Sequence, residues 1–404
     1  MAIAVQPFPR AVAPPVSVPD GPPRARRDSF LDAVRALGTL GIVAMHWLMP
    51  AASFDGSTLR IGNALDHGAA WALTWVGQTL PLLFFAAGSA AAYQRSATSG
   101  LGVGWGRVVL ARVRGLARPV GVFVGAWAVA IVVLLGVGVP DGAVWRLARM
   151  APQLLWFLAI WVALLPFVPL LQRAWLRWRW RAAAVATALP LLVDVLRFGA
   201  GAESVAWANL MLVWAVPFLA GIAYATDRSE ALRSRVTGRS GSSRALALTA
   251  VAALVAMVAL VVTGPYPASM VGMPGDAISN LGPPTAPVLA QAVAQVCALL
   301  AVRGAVTRWA SAGAGRSVVG LLSRHAMTVY LWHLTAMFAV VGVVLVGLGQ
   351  RLPDPWTADW WASRPIWFAA FLLTLLALGQ TVGRLAEGPS RAARTSQLRG
   401  SGTA

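Results

Sequence analysis

The amino-acid sequence predicts an all-α fold: a polytopic transmembrane helix bundle of about ten spans, with both termini in the cytoplasm. Three observations predict it. The 404 residues are 58% hydrophobic and only 12% charged, about half the charged share of a soluble domain, and mean hydropathy is +0.68. The apolar residues come in runs of about 20, the length that crosses a hydrocarbon layer of about 30 Å. The arginines between the runs fall mostly on one side when the spans are alternated across the membrane.

Along the chain, residues 1–27 are rich in Pro, Ala and Arg, with no apolar core of signal-peptide length before Arg24-Ala25-Arg26-Arg27. They read as a disordered cytoplasmic tail. A membrane domain over 28–388 follows, its apolar runs at 30–50, 70–93, 119–139, 151–171, 182–198, 207–226, 245–263, 286–302, 318–346 and 364–386. Residues 389–404 read as a second disordered cytoplasmic tail. With the N-terminus inside, only Arg60, Arg146, Arg149, Arg197, Arg351 and Arg364 of the 33 arginines face outward, the asymmetry that the positive-inside rule requires. Merging or splitting one span would put arginine-rich loops on the wrong side. The longest outer connection, around 264–285, carries Pro and Gly throughout and predicts an ordered connection more than a domain.

Composition excludes other classes. The net charge of +19 does not imply nucleic acid. Every basic residue is arginine, and the arginines lie between apolar runs instead of forming a stripe. Abundant Ala, Gly and Pro with no lysine suggest GC-rich coding, and hence a bacterial plasma membrane. The one cysteine, Cys297, excludes an intrachain disulfide and a cysteine metal cluster. It suits a small buried hydrophobe. No metal site is expected.

Polar residues inside a membrane span are costly, so each needs a reason. The first span holds Asp32, Arg35 and His46. Eleven helical steps of about 100° carry Arg35 to His46 within about 20° of one face, about 16 Å along the axis. Asp32 lies one turn below Arg35 and suits pairing with it. The three predict a polar track from the cytoplasmic end toward mid-membrane. Arg35 also suits an interfacial anchor, and His46 a packing histidine. Tyr330 and His333, three apart, share a helix face, and His333 is expected in the same cavity as His46.

These residues resemble those of a known family. Leu31-Asp32-Ala33-Val34-Arg35-Ala36-Leu37, followed by Ala44-Met45-His46, resembles the opening motif of acyltransferase family 3, the membrane O-acyltransferases. Pro81-Leu82-Leu83-Phe84-Phe85-Ala86-Ala87-Gly88-Ser89 is similar to the family's phenylalanine-rich second helix, with the usual Ser-Gly pair reversed. Arg107, Arg112-Val113-Arg114 and Arg118-Pro119 resemble its basic loop before helix three. Leu155-Trp156-Phe157-Leu158 resembles its Trp-Phe-Leu motif, and Ser323 through Tyr330-Leu331-Trp332-His333 its late Ser…Tyr-Leu-x-His motif.

The resemblance implies transfer of an acyl group, often acetyl, from cytoplasmic acyl-CoA to a hydroxyl on a glycan, lipid-linked sugar or metabolite. Acyl-CoA is then a donor substrate, and no tightly bound cofactor is expected. His46 fits a general base or an acyl carrier, and Arg35 and Asp32 complete the catalytic set. Arg112, Arg114 and Arg118 fit the CoA phosphates, because a guanidinium bonds phosphate bidentately. Trp156, Tyr330 and His333 fit the substrate cavity. A transporter or flippase for a glycan or lipid is the alternative, with Asp194 as its candidate intramembrane carboxylate.

Overall fold

In lipid, a backbone must satisfy its own polar groups, so the apolar runs become helices. The structure, a computed structural model, describes residues 28–234, 243–273 and 275–387. The expected tails at 1–27 and 389–404 lie outside these. In chain order the elements are α1 (Ser29–Leu48), a hairpin of β1 (Pro50–Phe54) and β2 (Leu59–Asn63), α2 (Leu73–Gly77), α3 (Leu80–Ser99), α4 (Trp105–Gly136), α5 (Asp141–Met150), α6 (Leu155–Leu164), α7 (Val168–Trp178), α8 (Trp180–Ala200), α9 (Asn209–Ser234), α10 (Ser243–Thr263), α11 (Ala286–Ala301), α12 (Arg303–Ser311), α13 (Gly313–Gly342) and α14 (Ala358–Glu387). Among the described residues, nine helices are long and apolar enough to cross a membrane. There are ten if α11 and α12, bent by 63°, form one broken span.

Three features differ from the sequence expectation. The basic segment around 107–118 is not a loop: it forms the first turns of the 32-residue α4. Arginine is a good helix former, and Pro119 is accommodated inside the helix. The run at 70–93 breaks at Gln78-Thr79, between α2 and α3, and Pro81 sits in the first turn of α3, where a missing N–H costs nothing. The antiparallel hairpin pairs Pro50 with Asn63 and Phe54 with Leu59. Its turn is set by Asp55, whose Oδ1 accepts from the N–H groups of Ser57 at 3.1 Å and Thr58 at 2.8 Å.

Hydrogen bonds define the two ends of the bundle. At the arginine-rich end, Asp28 Oδ2 accepts from Tyr93 at 3.1 Å and Tyr224 at 3.0 Å, joining α1, α3 and α9. Arg118 Nε donates to the Leu385 carbonyl at 2.9 Å, joining α4 to the end of α14. At the opposite end, Trp75 donates to Ala268 at 2.7 Å and Trp356 to Ala64 at 2.6 Å.

The 264–285 connection is ordered by buried side chains. Asn280 Nδ2 donates to the carbonyls of Pro267 and Ser269 at 2.7 and 2.8 Å, and Thr285 donates to Asn280 Oδ1 at 2.6 Å. Asp194 is buried beside it. Its carboxylate accepts from the Ala286 N–H at 2.6 Å, Tyr266 at 3.0 Å and Asn209 at 3.0 Å. It thereby caps the first turn of α11. A carboxylate held by three donors from three segments ties α8, α9 and the 264–285 connection to the start of α11.

α1 runs through the middle of the bundle, packed on α3, α12 and α13. The tightest crossing is α3 on α9. A Cβ on Gly88 would collide with the Phe218 carbonyl, and one on Gly221 with the Phe85 carbonyl. Ser89 Oγ lies 3.0 Å from the carbonyls of both Phe85 and Gly221. The reversed Gly88-Ser89 pair is therefore a helix–helix contact of the small-residue type. Replacing Gly221 by Leu should cost about 1–3 kcal/mol or more through overpacking, read as a lower unfolding midpoint and loss of monodispersity in detergent. Gly125→Ala, where a Cβ meets open space, should leave both unchanged.

Candidate active site

The packing of α1 against α13 brings two histidines together. Trp47 Nε1 donates to the His333 carbonyl at 3.2 Å and fixes the register of the two helices. His333 Nε2 then lies 3.0 Å from His46 Nδ1, with ring centroids 5.1 Å apart. His333 is fully buried.

The hydrogen positions follow from the partners. His333 Nδ1 is 3.0 Å from the Val329 carbonyl and 2.9 Å from the Tyr330 carbonyl. Carbonyl oxygens only accept, so this nitrogen bears the hydrogen. In neutral His333, Nε2 therefore accepts, and His46 Nδ1 donates to it. The lone pair of His46 is left on Nε2. A buried imidazole thus fixes the tautomer of a second one.

His46 lines a cavity of about 930 Å³, near the upper end of the range of about 300–1,000 Å³ for small-molecule sites. Trp156 and Tyr330 share its wall with Phe157, Trp127 and both strands of the hairpin. The lining is mostly apolar. Gln78, Gln153, Asn63 and Thr335 supply the polar points besides His46 and Tyr330. The Tyr330 hydroxyl donates to the Leu154 carbonyl, so Tyr330 presents its ring. In the other direction the cavity reaches Ile42, Leu80 and Leu378. Leu378 lies about two helical turns from Leu385, whose carbonyl takes Arg118.

The remaining expected residues are distributed as follows. Arg35 pairs with Asp32 at the arginine-rich end and is half exposed. Between Arg35 and His46, the same stripe of α1 holds Thr39 and Ile42, both buried, and Ile42 belongs to the apolar core. The expected continuous track is therefore two separate polar groups. His333 does not line the cavity: it stands behind His46. Arg112 donates to Gln94 and lies over the Trp161 ring, close enough to feel the charge of Arg35. Arg118 faces α14 instead, and Arg114, four residues before it, shares that face. The three arginines thus flank two sides of α4 and do not form one cluster.

The comparison with known families decides the class. A family model described as an acyltransferase domain matches residues 28–378. The chain belongs to acyltransferase family 3. No curated protein and no solved structure matches it. This acyltransferase therefore has α1, with His46, and α13, with His333, inside the family's shared region, and that region ends within α14. As a multi-pass membrane acyltransferase it requires an acyl donor, an acceptor and a bilayer.

Among the cavity-facing residues that escaped the sequence reading are Asn63, Gln78, Trp127, Gln153 and Thr335. Gln78 carries a signal, being a buried polar side chain in an apolar run. Trp127 donates to Thr335 at 3.1 Å, a pairing of distant residues that nothing local announces.

The tautomer assignment is directly testable. The chain has four histidines, and His67 and His325 are exposed references. In ¹⁵N spectra of histidine-labelled protein at neutral pH, His46 and His333 should both carry the hydrogen on Nδ1. An Nε2–H signature for His333 would refute the arrangement.

Proposed function

We propose that this acyltransferase moves an acyl group, acetyl being the family's common one, from cytoplasmic acyl-CoA to an acceptor hydroxyl, with His46 as the general base. The observation that carries this reading is the pairing of His46 Nδ1 with His333 Nε2 at 3.0 Å, with His46 at the cavity wall.

In the reaction, the acceptor hydroxyl lies within hydrogen-bond reach of His46 Nε2. Its oxygen attacks the thioester carbonyl while its proton passes to Nε2. The imidazolium so formed keeps its Nδ1–H bond to His333. When the tetrahedral intermediate collapses, the C–S bond breaks. The thiolate leaves with the proton from Nε2 as free CoA, and the acyl group is now an ester. His333 is a positioning residue, because it acts only through His46.

The donor end of the reading rests on charge. Arg35 and Arg112 are neighbours at the arginine-rich end, and Arg114 and Arg118 stand on the α14 side. Guanidinium groups suit the phosphates of CoA. The reach of the cavity toward Leu378 supports delivery of the thioester from that end. The distribution of arginines supports placing that end in the cytoplasm of a bacterial cell. The apolar walls favour an acceptor with an apolar part, a lipid-linked sugar or an apolar metabolite, over a free glycan.

The test uses purified protein, radiolabelled acetyl-CoA and a membrane lipid extract, scored by label on an acceptor. His46→Ala should lower the rate by about 10²–10⁴-fold with an unchanged elution profile. His333→Leu should lower it by about 10–100-fold. His333→Gln, whose carbonyl oxygen accepts from His46 Nδ1, should recover part of that loss. A wild-type rate in His46→Ala would sink the reading. Labelled histidine trapped from enzyme and donor alone would make His46 an acyl carrier instead.

A further inference from the structure

A second cavity lies away from the histidine pair. It occupies about 940 Å³ between α8 and α9 on one side and α10 and α11 on the other. It shares no lining residue with the first. Small side chains open it: Ala183 and Ala186 on α8, Ala220 and Ala223 on α9, Ala292 on α11. Its long walls are apolar, and its charged groups gather at the arginine-rich end.

Those charged groups are Asp227, Arg228 and Arg303. Asp227 is matched, since it pairs with Arg179 and accepts from Trp175 at 2.8 Å. Arg228 contacts Asp28 at 3.5 Å and Tyr224 Oη at 3.1 Å. Arg303 has no carboxylate within salt-bridge distance among the described residues. It rests on aromatic faces, 5.0 Å from the Tyr224 ring centroid and 5.9 Å from that of Phe30. Aromatic faces hold a guanidinium in place without cancelling its charge. The bend of 63° between α11 and α12 falls immediately before it.

The location selects the ligand. α10 packs chiefly on α11 and is otherwise open. α8 likewise exposes Leu189, Leu192 and Val195. In a membrane those surfaces meet lipid, so the cavity opens onto the bilayer. Apolar walls with a cationic end at the level of the arginine-rich interface complement acyl chains below a phosphate.

We propose that this cavity binds an anionic phospholipid, its phosphate at Arg303 and Arg228 and its chains along α9 and α11. The site stands apart from the histidine pair and does not depend on how acyl transfer proceeds.

Native mass spectrometry of the purified full chain, exchanged into micelles with phosphatidylglycerol or phosphatidylcholine, tests it. Phosphatidylglycerol should be retained in preference. Arg303→Gln should weaken that retention about fivefold, the share of one arginine near a phosphate. Cys297→Phe, which fills the wall from a half-buried position, should lower retention with the charge intact. Arg308→Gln, outside the cavity, should change nothing. Equal retention of the two lipids, or an unchanged Arg303→Gln, would overturn the proposal. So would displacement of the lipid by CoA, which would make the cavity a donor site.

Discussion

Within the hydrocarbon layer no water is available, so a polar group in this bundle is costly unless it finds a partner in the protein. That constraint shapes the architecture more than helix propensity does. Ser89 meets it across the α3–α9 crossing, where two glycines let the backbones touch. Gln291 meets it by donating to the carbonyls of Thr74 and Trp75 at 3.0 and 2.7 Å, where α2 breaks off. Asp194 meets it by capping α11. The histidine pair is the same solution applied twice: His333 satisfies one nitrogen on its own helix and offers the other to His46. The site follows the same pattern as the architecture: His46 Nδ1 is paired with His333, and its other nitrogen belongs to a side chain at the cavity wall.

A neutral partner suits this setting. A carboxylate behind the base would stabilise the imidazolium more strongly. It would also bring a charge into the centre of the bundle, where an ion is costly unless paired. Imidazole fixes the tautomer and accepts the hydrogen bond without standing charge. In the proposed mechanism the base is charged only while it holds the acceptor's proton, so the cost of burying an ion would arise only in the transient state. The fixed backbone carbonyls at Val329 and Tyr330 keep His333 from turning over.

Much of the fold was legible because helix length and arginine placement are local signals. The span positions follow the apolar runs, and the difference between nine and ten rests on one bend, at Val302. What local signals miss is what a face packs against. Helical periodicity correctly places Arg35 and His46 on one stripe of α1. The stripe also carries Thr39 and Ile42, both buried, Ile42 clustered with Leu80, Leu83 and Phe84 of α3, so a shared face did not make a continuous track. Tyr330 and His333 likewise share a face, but only tertiary packing shows that one forms wall and the other support. The separation of His46 and His333 in the chain is the physical reason their pairing was not readable. Gln78 was readable, by the same cost argument that singled out His46.

The two cavities differ in the groups that line them. The first is bounded by α1, α4, α13 and the hairpin, and holds a free basic nitrogen but no cation at its wall. The second is bounded by α8 to α12 and gathers Arg228 and Arg303 beside an Asp227 already paired with Arg179. Chemistry needs a lone pair at a place where a hydroxyl and a thioester can meet. Retention of an anion would need fixed positive charge that no carboxylate cancels, as at Arg303. α1 and α3, joined by Thr79 Oγ1 donating to the Gly38 carbonyl at 2.8 Å, stand within one packed unit and keep α1 at a fixed height. A small shift of α1 along its axis would break the Trp47 contact to α13 and the His46–His333 bond together. The geometry of the histidine pair thus depends on the position of α1 in the bundle, and the packing of α3 on α9 reaches the candidate site through that one helix.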